Sequence, residues 1–185
     1  HRLGAAIAWQ HLDDSTRNRI TALLRTHPSW PHWLARSQSN ASEPTAQAIF
    51  IAASTWADEW RHLAPRKSEE ESTGITPLSD MSDGAHADWH YLNRPIKTNG
   101  RLGSGNLGGA LDTALEHLSA LLADPERPRQ ARAYALVWLI HLCGDAHQPL
   151  HTVSHLQADG SDDRGANSLV IHDPDNTRTT PQTLH

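Results

Sequence analysis

A run of helix formers with no breaker, Ala131-Arg-Ala-Tyr-Ala-Leu-Val-Trp-Leu-Ile140, leads directly into His141-Leu-Cys-Gly-Asp145-Ala-His147-Gln-Pro-Leu-His151. No other segment restricts the chain as tightly. Helical spacing sets His141 and Asp145, at i and i+4, one above the other on the same face. Gly144 and Pro149 are expected to end the helix, with His151 coming round on the turn that follows. An imidazole and a carboxylate one turn apart can hold one divalent ion, and a carboxylate has two oxygens, so it can bridge two. A lone His-x-x-x-Asp is more often a buried histidine near a helix-capping Asp. Here four potential ligands fall within eleven residues of a chain with 14 histidines, and a metal site is the better reading.

The 185 residues suffice for about one domain with a substantial core. A net charge of -5 gives no general electrostatic footprint for nucleic acid, so phosphate chemistry would need a local cation cluster, which zinc ions would supply. The single cysteine, Cys143, rules out an internal disulfide; its place in an apolar run predicts a buried small hydrophobe rather than a ligand. No segment is apolar and long enough to span a membrane, and no obligate protein partner is evident. The chain opens on His1 with a helical pattern already running and closes on Leu184-His185, so it is read as one domain over 1–185, truncated at both ends. The sequon Asn40-Ala-Ser42 is formally present, as such triplets commonly are by chance.

The fold class is mainly α: a multi-helix domain with at most a small β hairpin. Leu3, Ala6, Ile7 and Leu12, then Ile20, Leu23 and Leu24, fit two amphipathic helices, with Asp13-Asp14-Ser15-Thr16 as break and N-cap between them. Pro28, Trp30, Pro31 and Trp33 mark a packed loop or short helix. Glu43-Pro44-Thr45 opens a helix through Arg61 that is apolar on most sides and therefore central. Residues 66–84 are polar and loop-like. Ala87–Pro95 is short and aromatic, followed by a Gly/Asn-rich loop through Gly109 and a helix over roughly 110–123. Asp159–Gly165 is turn-forming, and Ser168-Leu-Val-Ile-His172 is the one convincing strand-like run.

Other segments add residues with metal chemistry. Asp58, in Trp56-Ala57-Asp58, would be costly to bury without a partner, and His90 stands between Trp89 and Tyr91. In order along the chain, His1-Arg2, Ser54-Thr-Trp-Ala-Asp58 with Arg61, Trp89-His-Tyr91, the His141–His151 string, Asp163-Arg-Gly-Ala-Asn167 and Thr-Leu-His185 closely resemble the zinc-dependent single-strand nucleases of the S-one/P-one family. Taken singly, Trp-Ala-Asp or Trp-His-Tyr is weak; the ordered set is very specific and covers nearly the whole chain.

The resemblance implies a compact helical fold with three Zn2+ ions at the bottom of a cleft. It assigns Asp58, His90, His141 and Asp145 to the first ion. His151 and His185 go to the second, with an Asp expected four residues beyond His185. His1 and Asp145 go to the third, with an N-terminal Trp that this chain does not contain. Nitrogen and oxygen donors without thiolates suit zinc in a catalytic setting, although manganese or iron would also fit. His147 is then structural, or orients a ligand. The remaining histidines have no spacing that asks for a metal.

The implied activity is hydrolysis of single-stranded RNA or DNA, and of 3′-nucleotides, to products carrying a 5′-phosphate. Metal-activated hydroxide would attack phosphorus in line. Arg61, at i+3 from Asp58, would bind a phosphate oxygen, and Asn93 occupies a position that contacts the nucleobase in fungal members, where it is Asp. Trp89 and Tyr91 are available for base stacking. Two rivals remain: a zinc phospholipase C-type phosphodiesterase of the same fold, against which the Trp-Ala-Asp-x-x-Arg and Asp163–Asn167 details count, and a non-catalytic zinc-binding relative. Ala166 stands where the family has a second glycine, a change that matters only if the residue needs positive φ. Family members are exported, which implies a secreted or periplasmic location.

Overall fold

The computed structural model describes residues 1–38, 45–63 and 86–167, without the side chains of residues 38 and 60–63. The sequon at Asn40, the polar loop at 66–84, the strand expected at Ser168–His172 and the proposed ligand His185 lie outside the described residues. The chain divides into two units, His1–Ala87 with Asp112–Gly144, and Asp88–Leu111 with Asp145–His185.

In the first unit, α1 (Arg2–Gln10) buries Ala5 and Trp9, while Leu3 and Ile7 are exposed, the reverse of the face their periodicity predicts. The larger side chain decides the orientation: Trp9 packs on Phe50 with ring centroids 5.1 Å apart. Asp13 caps α2 (Asp14–Leu24), as expected, by accepting the Thr16 N–H at 2.7 Å. The Pro28–Trp33 segment is a turn at Pro28-Ser29 followed by the start of a short helix, α3 (Trp30–Gln38), in which Trp33 is fully buried. Thr45 caps α4 (Ala46–Ala53), whose Ile49, Phe50, Ala52 and Ala53 are all buried. Helices α1, α2 and α3 all pack against α4, which makes it central to this unit.

The helix expected through Arg61 is not continuous. It stops at Ala53, and α5 (Trp56–Leu63) starts afresh. Ser54 Oγ donates to the Ile51 carbonyl at 2.7 Å. That hydroxyl thus competes with main-chain N–H groups for a helix carbonyl, a known way to interrupt a helix.

Further on, α6 (Leu111–Ala123) matches its expected range, and α7 (Arg129–Ala146) carries the His141–Asp145 motif. Ala133, Ala135, Val137, Trp138 and Leu142 are all buried, as in a helix surrounded by core. The core of this unit is aromatic. Trp56 and Trp138 meet edge to face at 6.0 Å, Trp56 also lies 5.8 Å from Tyr134, and Trp56 Nε1 donates to Ser29 Oγ at 2.9 Å. Cys143, expected to be buried, is exposed.

In the second unit, a single 3-10 turn (Ala87–His90) leads to β1 (Arg94–Lys97), and a short helix, α8 (Pro149–Thr152), leads to β2 (Val153–Leu156). The strands pair in parallel, Arg94 opposite Val153 and Lys97 opposite Leu156. This replaces the hairpin allowed for by the sequence, because parallel partners need a long crossover, supplied here by the chain from α6 through α8. The Asp163–Asn167 segment closes the end of β2. Asp163 Oδ1 accepts the His155 N–H at 2.8 Å, and Ser154 Oγ accepts the Gly165 N–H at 2.6 Å. Among the described residues no helix is long and apolar enough to cross a membrane.

Candidate metal centre

The interruption between α4 and α5 shapes the site. His141, fully buried on α7, places Nδ1 2.8 Å from the Ser54 carbonyl. A carbonyl only accepts, so Nδ1 carries the proton and Nε2 presents its lone pair. Nε2 lies 3.7 Å from Oδ1 of Asp58, on the first turn of α5. The other oxygen of Asp58 lies 3.6 Å from Nε2 of His1. The His1 and His141 rings stack at 3.8 Å between centroids. One ligand atom from each of His1, Asp58 and His141 lies within 4.8 Å of the others. Donors about 2.0–2.2 Å from a shared ion are themselves roughly 3–4 Å apart, and the 3.6 and 3.7 Å separations from Asp58 would suit one cation shared by all three. The resemblance instead divides them, with Asp58 and His141 on the first ion and His1 on the third.

Asp58 is followed by Glu59, and the two acids are used differently. Arg36 Nη1 pairs with Glu59, Thr55 Oγ1 donates to it at 2.8 Å and His32 Nε2 lies 3.5 Å away. Burial alone would push the Glu59 carboxyl up, but the bonds from Arg36 and Thr55 outweigh it and hold the group below the usual value. Glu59 thereby fixes the first turn of α5 and leaves Asp58 as the acid facing the histidines. Neither this role nor that of Ser54 was foreseen from the sequence; the Ser54-Thr55 pair inside an apolar run was the available signal.

The second unit assembles three more of the expected ligands. His90 and Asp145 are buried, with His90 Nδ1 3.1 Å from Asp145 Oδ2. His151 Nδ1 donates to the His90 carbonyl at 3.1 Å, which again leaves Nε2 as the ligating nitrogen. The Leu92 N–H donates to the His151 carbonyl at 2.7 Å, tying the 3-10 turn to α8 just ahead of the paired strands. Gly109, at φ +90, is required here: a Cβ on it would lie 2.1 Å from the Tyr91 carbonyl oxygen. Asn93 is half-buried and its main chain anchors the glycine-rich loop, accepting the Leu107 N–H and donating to the Gly108 carbonyl, each at 2.8 Å.

Arg61 lies on α5, three residues beyond Asp58, and its side chain is outside the described residues, as is His185. His147 is exposed. Imidazole and carboxylate donors without a thiolate, with the His141 and His151 tautomers fixed by main-chain carbonyls, are of the kind that could hold a divalent ion in a hydrolase. The model of the S1/P1 nuclease family matches residues 1–185, and the chain belongs to that family. It is therefore a hydrolase of the kind that acts on nucleic acid, in a family that is metal-dependent and typically extracellular. No curated protein and no solved structure matches the chain.

Proposed function

We propose that the protein is a zinc-dependent phosphodiesterase that cleaves single-stranded RNA and DNA, and 3′-nucleotides, to products bearing a 5′-phosphate. The observation that carries this reading is the convergence of His1, Asp58 and His141 with their ligating atoms within 4.8 Å. The proposed ligands are His1, Asp58, His90, His141, Asp145, His151 and His185, with three ions as the resemblance implies. Bound zinc would act as a Lewis acid on the phosphate and make water a competent nucleophile near neutral pH.

The chain's own residues prepare that chemistry. The Ser54 and His90 carbonyls hold the Nδ1 protons of His141 and His151, so each ring keeps one tautomer and one orientation. Asp58 and Asp145 bring negative charge that a cation cluster would offset. Arg61 is proposed to bind a non-bridging phosphate oxygen, and Asn93, able both to donate and to accept, to contact the base. Trp89 and Tyr91, both half-buried, offer aromatic surface to an unpaired base and none to a base inside a duplex. An exported location fits such an activity.

Elemental analysis of the full-length protein, purified without chelator, tests the reading. About three zinc ions per chain is expected for a complete cluster. Cleavage of single strands but not duplexes should accompany it. A value of one or none sinks the catalytic reading in favour of a non-enzymatic relative. Turnover of phosphatidylcholine in place of single strands would support the phospholipase branch.

A further inference from the structure

Gly144 has no local reason to be glycine. It does not end α7, which continues through Ala146, and it is not among the glycines with positive φ. Glycine is the poorest helix former after proline, so inside a helix it calls for another cause. The cause visible here is His1. A Cβ on residue 144 would stand 2.6 Å from His1 Nδ1, 3.4 Å from its Cε1 and 3.6 Å from its Cα. The imidazole could relieve the clash by rotating about its side-chain bonds, but only by leaving its stack on His141 and its place beside Asp58. The backbone of His1 cannot simply draw back, since His1 is the N-cap of α1 and its carbonyl accepts the Ala5 N–H at 2.9 Å.

We infer that Gly144 is the positioning residue for His1, its missing side chain being what lets the imidazole stack on His141 and reach Asp58. This rests on the proposed metal centre for its purpose, but the packing relation itself does not. One turn of α7 then serves two ends: His141 supplies a nitrogen, and Gly144, three residues on, leaves the space for a nitrogen from a different helix. Adding a methyl group at 144 should displace His1 and with it one ligand.

A double-mutant cycle tests this on the full chain, with Gly144→Ala made in the parent and in a His1→Ala background. Melting temperatures are read after chelation, and bound zinc is counted before it. Gly144→Ala is expected to lower Tm when His1 is present and to raise it when residue 1 is Ala, because the clash is gone and helix propensity alone remains. Gly144→Ala should also cost about one bound zinc per chain, as His1→Ala does, with no further loss in the double variant. A Tm shift of the same sign in both backgrounds would overturn the packing claim, and a full zinc count in Gly144→Ala would overturn the positioning role. A parent chain that takes up no zinc would instead overturn the metal-centre reading, and the chelated Tm cycle, which needs no metal, separates the two failures.

Discussion

The Nδ1–H of His141 donates to the main-chain carbonyl of Ser54 across 2.8 Å. Ser54 lies in the gap between α4 and α5, and Asp58 follows on the first turn of α5. One interruption of an apolar helix therefore does two things: it turns a carbonyl toward the buried histidine, and it starts the helix that delivers the carboxylate. The hydrogen bond and the ligand role belong to different nitrogens of His141, so they can be separated by substitution. His141→Asn keeps a donor near the position of Nδ1 and has no counterpart to Nε2. It should weaken metal binding by more than the roughly 10–100-fold that outer-shell partners are worth. His141→Ala should lose the metal equally and, in chelated protein, be less stable than His141→Asn by about 1–3 kcal/mol, since the Ser54 carbonyl loses its buried donor. Metal titration and urea unfolding check the pair; equal stability of the two variants would refute the role given to the Ser54 bond.

Asp163 belongs to the Asp163–Asn167 segment that carries part of the family resemblance, and its carboxylate accepts the His155 N–H of β2 at 2.8 Å. Asp163→Asn retains an acceptor oxygen and should change stability little. Asp163→Ala leaves the N–H without that acceptor and should cost about 1–3 kcal/mol. Both should retain the zinc count of the parent. Loss of zinc in Asp163→Asn, with folding intact, would instead give the residue a part in the metal centre.

What could be read from the sequence was what short-range rules govern. Asp13 announced the start of α2 through its own side chain, and the i, i+4 spacing of His141 and Asp145 needed nothing beyond the helix that carries them. Asp58 and His90 came with the family pattern. The misses depend on distant partners. Leu3 and Ile7 have the right period, but Trp9 on Phe50 decides which face of α1 is buried. Ser54 and Thr55 are tolerated inside many helices, and what distinguishes Ser54 here is the hydrogen bond its carbonyl accepts from a histidine 87 residues away. Strands of four residues, Arg94–Lys97 and Val153–Leu156, carry too little alternation to stand out, and their pairing closes over a long crossover. Gly144 was given its commonest local explanation, helix termination, whereas the constraint comes from the far end of the chain.

Ala166 was expected to be harmless unless its backbone needs positive φ, and it does: φ is +67, with the methyl group buried. The left-handed region costs an L-residue about 1–2 kcal/mol, which exceeds the roughly 0.8 kcal/mol that one buried methyl contributes. Ala166→Gly should therefore stabilise the protein, by up to about 1 kcal/mol in urea unfolding. A destabilised variant would mean that methyl packing outweighs backbone strain at this turn.

His27 links the aromatic core to pH. Its Nδ1 accepts the Ser29 N–H at 3.0 Å, so the neutral ring carries its proton on Nε2. It stacks on Trp33 at 4.7 Å and meets Tyr134 edge-on at 4.3 Å. Burial pushes its pKa down from 6.5 to about 3. The unfolded chain thus binds a proton at this histidine throughout the interval in which the folded protein does not. Stability is full above pH 6.5 and falls as pH drops from there toward about 3. The slope from one such group approaches about 1.4 kcal/mol per pH unit. His27→Phe removes the titration while keeping an aromatic ring against Trp33, at the expense of the bond to Ser29. Urea unfolding of chelated protein between pH 6.5 and 4 should give a shallower dependence for His27→Phe than for the parent, the difference approaching that slope. Taking the difference cancels every group the two chains share, including the proposed ligand histidines. Parallel curves for the two proteins would show that His27 titrates alike in the folded and unfolded chains, and that its burial among the aromatics has no energetic consequence for proton binding.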